Sequence, residues 1–184
     1  MKNFLQRNYP QIKFEFVTVD KYEGPGTSLG YSMLQAKSNL KCPFIFHPCD
    51  TIPVQKIPEP SQNWIGGMWV NEKKSDLPLA HYRTHKVVNN KIIELKDKGV
   101  SGFESIHIGL DGIKDYQDYW ATLEEIYNED PNFEELCDVQ VLDRMIKNGS
   151  DFALLPFPVW LDTGNLTALK NTEQYLKEHA YAGK

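Results

Sequence analysis

Val159-Trp160-Leu161-Asp162-Thr163-Gly164-Asn165 sets an acidic residue between an apolar strand-like run and the start of a helix-like one. A second stretch, Phe44-Ile45-Phe46-His47-Pro48-Cys49-Asp50-Thr51, does the same: a short apolar run bounded by prolines, read as a buried parallel strand, delivers Asp50 at its end. The crevice beyond strand ends is where open α/β sheets bind ligands. Two carboxylates brought there from separate strands fit Mg²⁺, a hard ion that takes oxygen ligands. Either aspartate taken alone also fits a turn or helix cap, since Asp is a common capping residue.

Outward from these two stretches, strand and helix signals alternate. Phe4 and Leu5 suggest the end of a helix stopped near Asn8-Tyr9-Pro10, because proline cannot continue it. The alternation in Ile12 to Val19 predicts a strand. Gly24-Pro25-Gly26-Thr27-Ser28 reads as a turn, with a helix from Leu29 to Lys37 after it. Pro53 to Asn63 is expected to be irregular, and Trp64 to Val70 a strand. Ala80 to Val88 and Lys91 to Lys96 flank Asn89-Asn90, whose side chains tolerate the positive φ of a tight hairpin. Ile106 to Leu110 and Phe152 to Phe157 are further strands. Helical spacing runs through Asp115 to Tyr127, Phe133 to Lys147 with Gly149 as its stop, and Leu166 to Lys177. The pattern implies one α/β domain with a sheet of mixed direction.

Composition narrows the function classes. At 184 residues and 41% hydrophobic, the chain can bury a sizeable core. Its net charge of −5, with Lys and Arg scattered, argues against a nucleic-acid partner. No apolar stretch approaches the roughly 20 residues needed to span a bilayer. The polar start, Met1 to Arg7, has no apolar signal-peptide core. Cys42, Cys49 and Cys137 lack Cys-x-x-Cys spacing and read as free thiols of a cytoplasmic protein.

Together the pieces resemble the sugar-1-phosphate nucleotidyltransferases, the family that contains glucose-1-phosphate thymidylyltransferases, along nearly the whole chain. The resemblance implies a Rossmann-like nucleotidyltransferase fold (GT-A-like), a mixed sheet flanked by helices. It also implies Mg²⁺ on Asp50 and Asp162, and transfer of a nucleotidyl group from an NTP to a sugar-1-phosphate or a similar phosphate ester such as phosphocholine, with pyrophosphate release. Gly26, Thr27, Ser28 and Gly30 match the glycine-threonine turn that touches the nucleobase. Ile92 to Gly99 is similar to the strand leading into a Glu-Lys-Pro element, here Asp97-Lys98-Gly99. Lys98 then faces the acceptor phosphate and Asp97 the sugar hydroxyls. Tyr82 and Gly109 fall at sugar-side positions.

The family's opening strand, Gly-x-Gly-x-Arg loop and Pro-Lys element have no counterpart in these 184 residues. The expectation is a single domain, 1–184, missing an N-terminal βαβ unit and incompetent alone, with an uncovered sheet edge or apolar face that favours self-association. A cell-surface polysaccharide pathway is what the resemblance implies. The alternatives are a non-catalytic binding or regulatory module on the same fold, and, ranked lowest, a glycosyltransferase, whose Asp-x-Asp motif is absent. His47 and His107 are read as core histidines, and His81 and His85 as too extended in spacing to pair on a metal. Arg83 and Lys96 fit either positive charge near the site or solvated positions. Tyr116, Tyr119 and Trp120 are expected to face the core.

Overall fold

The structure is a computed structural model and describes residues 1–71 and 79–179. In chain order the elements are α1 (Lys2–Asn8), α2 (Leu29–Leu34), β1 (Phe44–Phe46), β2 (Thr51–Pro53), β3 (Trp64–Trp69), a 3₁₀ turn (Leu79–His81), β4 (Thr84–Val88), β5 (Lys91–Lys96), β6 (Ser105–Ile113), α3 (Tyr116–Glu129), α4 (Asp138–Lys147), β7 (Ala153–Pro156), β8 (Trp160–Asp162) and α5 (Leu166–His179). Six strands form one sheet in the order β1-β6-β3-β7-β5-β4, while β2 and β8 pair in a separate two-stranded ribbon. Within the main sheet β3 and β7 are parallel and the other neighbours antiparallel, so the sheet is mixed, as the sequence implies.

Side-chain alternation sorts the strands' apolar residues onto two faces. Phe44, Ile65, Ile113 and Leu154 face α3 and α4, where Tyr119, Trp120, Leu123, Val141, Leu142 and Met145 complete the main core. Their sequence neighbours Ile45, Trp64 and Leu155 join Ile108, Leu110 and Phe157 in a smaller cluster on the opposite face. Burying each of these large side chains contributes about 1.5–3 kcal/mol, so the helical spacing of α3 is what holds it on the sheet. Asn63 fixes where α3 begins. Its side-chain oxygen accepts from the Lys114 and Asp115 amides at 2.8 and 3.0 Å, and its amide donates to Asp115 Oδ2 at 2.7 Å.

Several expectations need correction. Ile12 to Val19 forms no strand: Ile12, Phe16 and Val17 are exposed, and among the described residues no strand pairs with the segment. Strand β1 is antiparallel to β6 rather than parallel, because a short apolar run reports burial and not direction. Helix α4 starts at Asp138, five residues later than the periodicity from Phe133 suggested, where the Cys137 amide donates to Gln140 Oε1 at 2.9 Å in a capping box. The Asn89-Asn90 hairpin forms as expected, with φ of 50° and 63°. Cys42, Cys49 and Cys137 are free, and burial first, then the Asp138 charge, pushes the Cys137 thiol up to about 11.

Candidate active site

The two-stranded ribbon is what brings the acids together. Thr51 of β2 stands opposite Asp162 of β8, so Asp50, one residue earlier, is delivered beside the turn that follows Asp162. Thr163 closes that turn onto Asp50: its amide and its Oγ1 both donate to the Asp50 carbonyl, at 2.8 and 3.1 Å. Three hydroxyl or imidazole groups anchor the ribbon to the rest of the fold. Thr51 Oγ1 donates to the Ile108 carbonyl at 3.0 Å, Thr172 Oγ1 to the Asp162 carbonyl at 2.8 Å, and His47 Nε2–H to the Thr51 carbonyl at 2.7 Å. His47 is therefore an exposed, hydrogen-bonded residue and not a core histidine.

Gly164 reports how close the carboxylates come. A Cβ built there would stand 3.1 Å from both Asp162 Oδ1 and Asp50 Oδ2, which places the two oxygens no further apart than twice that distance. The Gly164 amide already donates to Asp162 Oδ1 at 2.7 Å, which fixes that carboxylate's orientation. Both acids open into a cleft of about 1170 Å³.

Of the other residues matched to the family, Lys98, Tyr82 and Gly109 line this cleft, and Arg83 joins them. Burial first, then the Asp162 charge and a hydrogen bond with it, raise the Tyr82 phenol above its ordinary range, and its ring meets Trp160 edge-on at 5.8 Å. Gly109, with φ of 80°, lies where a Cβ would approach Pro48 Cγ at 3.0 Å. Asp97 Oδ1 pairs loosely with Arg83 Nε at 3.6 Å and is exposed.

Gly26, Thr27, Ser28 and Gly30 are not among the cleft's described lining, although Leu29 is. In the structure Gly26 turns with φ of 80° against the Pro131 carbonyl, and Thr27 Oγ1 donates to the Gly24 carbonyl at 2.7 Å. Ser28 caps α2 by accepting from the Tyr31 amide at 2.9 Å, and Gly30 packs α2 against Leu136.

A second group of polar residues abuts the same cleft, and the sequence reading missed it. His107 and Asp138 line the cleft, and with Asp111 they gather one imidazole nitrogen and two carboxylate oxygens within 4.8 Å of one another, all buried. His85, fully buried, bonds His107 Nδ1 through Nε2 at 3.1 Å and Ser105 Oγ through Nδ1 at 3.0 Å. Burial, and then the charge of His107, hold His85 well below its ordinary value. Burial works to lower His107 too, but the Asp111 charge and the nearby Asp138 carboxylate, whose Oδ2 lies 3.7 Å from Nε2, outweigh it and raise the ring. Asp111 is pushed up to about 8, chiefly by burial. A signal was present in the sequence: two titratable side chains inside a nine-residue strand whose other residues after Ser105 are apolar or glycine.

No protein-family model matches the chain, and no curated protein matches it either. Solved structures do. An inositol-1-phosphate CTP transferase from T. maritima superposes with a TM-score of 0.61 at 16% identity, over 83% of this chain and 62% of that one. A UDP-glucose pyrophosphorylase complexed with UDP-glucose gives 0.70 at 15% identity, over 96% and 72%. The CTP:phosphocholine cytidylyltransferase of Streptococcus pneumoniae gives 0.66 at 14% identity, over 95% and 72%. This chain spans 62% of the length of the first and 72% of the other two. At such identities the likeness is one of fold, and the fold is that of the sugar-1-phosphate nucleotidyltransferases.

Proposed function

We propose that the chain is a nucleotidyltransferase domain whose cleft binds a sugar-1-phosphate or a similar phosphate ester, such as phosphocholine, in a cation-dependent way. The observation that carries this is the convergence of Asp50 and Asp162 on Gly164 inside the cleft. The donor set fits the ion: two carboxylates on an exposed rim suit Mg²⁺, which binds through one or two protein carboxylates and keeps several waters for phosphate oxygens to replace. Mg²⁺ bound there supplies Lewis acidity at the reacting phosphates. The residues of the chain position the rest. Lys98 offers a point charge to the acceptor phosphate, and Arg83 lies on the same cleft lining. Tyr82 and Gly109 shape the sugar side, and Asp97 is its hydroxyl acceptor. In the reaction an acceptor phosphate oxygen attacks the α-phosphorus of the NTP in line and pyrophosphate leaves, with no covalent enzyme intermediate.

One observation favours the second reading, a binding or regulatory module. These 184 residues contain no Gly-x-Gly-x-Arg loop, and backbone amides and basic side chains at such a loop supply the donors for triphosphate oxygens. We therefore expect the acceptor to bind and turnover to be absent from this chain alone. Titration calorimetry with glucose-1-phosphate and phosphocholine, with and without Mg²⁺, tests the first half. Binding of one acceptor that needs Mg²⁺ and is lost in Asp162→Asn is the expected result; no binding of either, or binding indifferent to Mg²⁺, overturns it. Pyrophosphate release from any of the four NTPs by the chain alone overturns the second half.

No helix among the described residues is long and apolar enough to cross a membrane. Self-association is part of the same proposal, through the β1 edge, which pairs with β6 on one side.

A further inference from the structure

A regular strand advances about 3.3 Å per residue, so residues four apart stand about 13 Å apart. His107 and Asp111 depart from this. Along the β3–β6 pairing, Ile65 faces Asp111 and Gly67 faces His107, so four steps of β6 are matched by two of β3. The surplus chain is a bulge at Gly109, whose φ of 80° lies in the left-handed region that glycine occupies without strain. The bulge draws both side chains towards Asp138, the first residue of α4.

Among the described residues neither oxygen of Asp111, nor His107 Nε2, has a hydrogen-bond partner, and Asp111 is 0% exposed. Burying carboxylate oxygens without partners is costly, and buried charges are found paired or coordinating metals. We propose that His107, Asp111 and Asp138 bind one divalent transition-metal ion, with Zn²⁺ the best match, at a centre separate from the Asp50–Asp162 pair and independent of the nucleotidyl-transfer reading.

Three features argue for it. The donor set is one imidazole nitrogen and two carboxylate oxygens, which suits Zn²⁺ better than the all-oxygen Mg²⁺ or Ca²⁺, and two carboxylates neutralise the ion's charge in a buried place. The spacing is close to what is required. Ligand atoms around a tetrahedral ion at about 2.0–2.2 Å stand about 3.4 Å apart. His107 Nε2 and Asp138 Oδ2 already lie 3.7 Å apart. The supporting shell is also in place. With Nε2 on the ion, His107 Nδ1–H donates to His85 Nε2, and His85 Nδ1–H donates to Ser105 Oγ, an orienting relay of the kind that ligating histidines need. His107 and Asp138 border the cleft, so the fourth coordination position opens towards it.

The test titrates Zn²⁺ into the chelator-treated full chain, measures stoichiometry after gel filtration, and records the X-ray absorption spectrum at the zinc edge. The expected result is one ion per chain with an imidazole shell. Affinity should fall at least about tenfold in Asp111→Asn and stay within about twofold in Asp162→Asn, the range that loss of a ligand or its support produces. A wild-type chain that binds no Zn²⁺ overturns the assignment. So does a shell without imidazole, or an affinity that falls with Asp162→Asn and not with Asp111→Asn. Should Asp111→Asn fail to fold, the wild-type spectrum and His107→Gln decide.

Discussion

Replacing Gly164 with alanine adds a single methyl group where the two cleft acids converge. Its Cβ would stand 3.1 Å from Asp50 Oδ2 and 3.1 Å from Asp162 Oδ1, in the space that the proposed shared ion would enter. Gly164 is exposed and outside the positive-φ region, so stability should change by no more than about 0.5 kcal/mol. Cation binding should suffer far more. Oxygen ligands hold Mg²⁺ at about 2.1 Å, and a methyl wedged between them displaces the ion by about 1 Å. At an exposed site the effective dielectric is near that of water. Moving a doubly charged ion from about 2.1 to about 3.1 Å from one carboxylate then costs about 1.3 kcal/mol, and the pair about 2.6 kcal/mol. That is a loss of about 80-fold in affinity. The assay is Mn²⁺ titration followed by electron paramagnetic resonance, in an Asp111→Asn background so that the buried cluster does not contribute. An affinity within about twofold of the parent would refute the reasoning, because an ion untouched by that methyl does not sit between the two acids.

Two further perturbations test the rest of the frame. In metal-free protein, burial lifts the Asp111 carboxyl from 3.8 to about 8, so the folded chain keeps a proton that the unfolded chain releases. The stability this confers is full below 3.8 and is lost as pH rises through about 8. Asp111→Asn carries no such proton, so its melting temperature should gain on that of the wild type between pH 5.5 and pH 8, and a constant difference would show that Asp111 is not buried with its proton. Gly30→Ala places a Cβ 2.5 Å from Leu136 Cγ and 3.2 Å from Leu123 Cδ1, both buried. Overpacking of that kind destabilises by about 1–3 kcal/mol, read as a lower urea midpoint; an unchanged midpoint would mean that α2 does not pack there.

Legibility in the sequence tracked how local the determining interaction is. Helix α3, the Asn89-Asn90 hairpin and the Gly149 stop are set by residues within a few positions of one another, and their patterns survive in one dimension. Ile12 to Val19 shows the opposite case: it alternates like a strand, but alternation describes a surface that needs a partner, and none is present among the described residues. The ribbon of β2 and β8 was not foreseen because three-residue strands carry no periodic signal and their pairing joins positions about 110 apart. Asp50 and Asp162 stand out in the sequence through the motif around them, not through the ribbon that unites them. The buried cluster escaped because its assembly depends on a bulge: by spacing alone, His107 and Asp111 are two strand residues far out of reach of each other.

Strand β6 links the two acidic centres, and the link runs through one residue. At Gly109 the chain bulges towards Pro48, which lies two residues before Asp50, and the Ile108 carbonyl just ahead of it receives Thr51 Oγ1, just after Asp50. The same bulge draws His107 and Asp111 together on the helix side. The cleft between the centres is then lined by Asp50, Asp138 and Asp162, against Lys98 and an Arg83 already paired loosely with Asp97. A phosphate approaching the Asp50–Asp162 end of that lining meets two converging carboxylates, and like charges at close range repel. An anionic ligand therefore gains a favourable site only when cations have neutralised the acids. The cation dependence proposed for this cleft thus follows from the balance of its own side chains, whatever ester it binds.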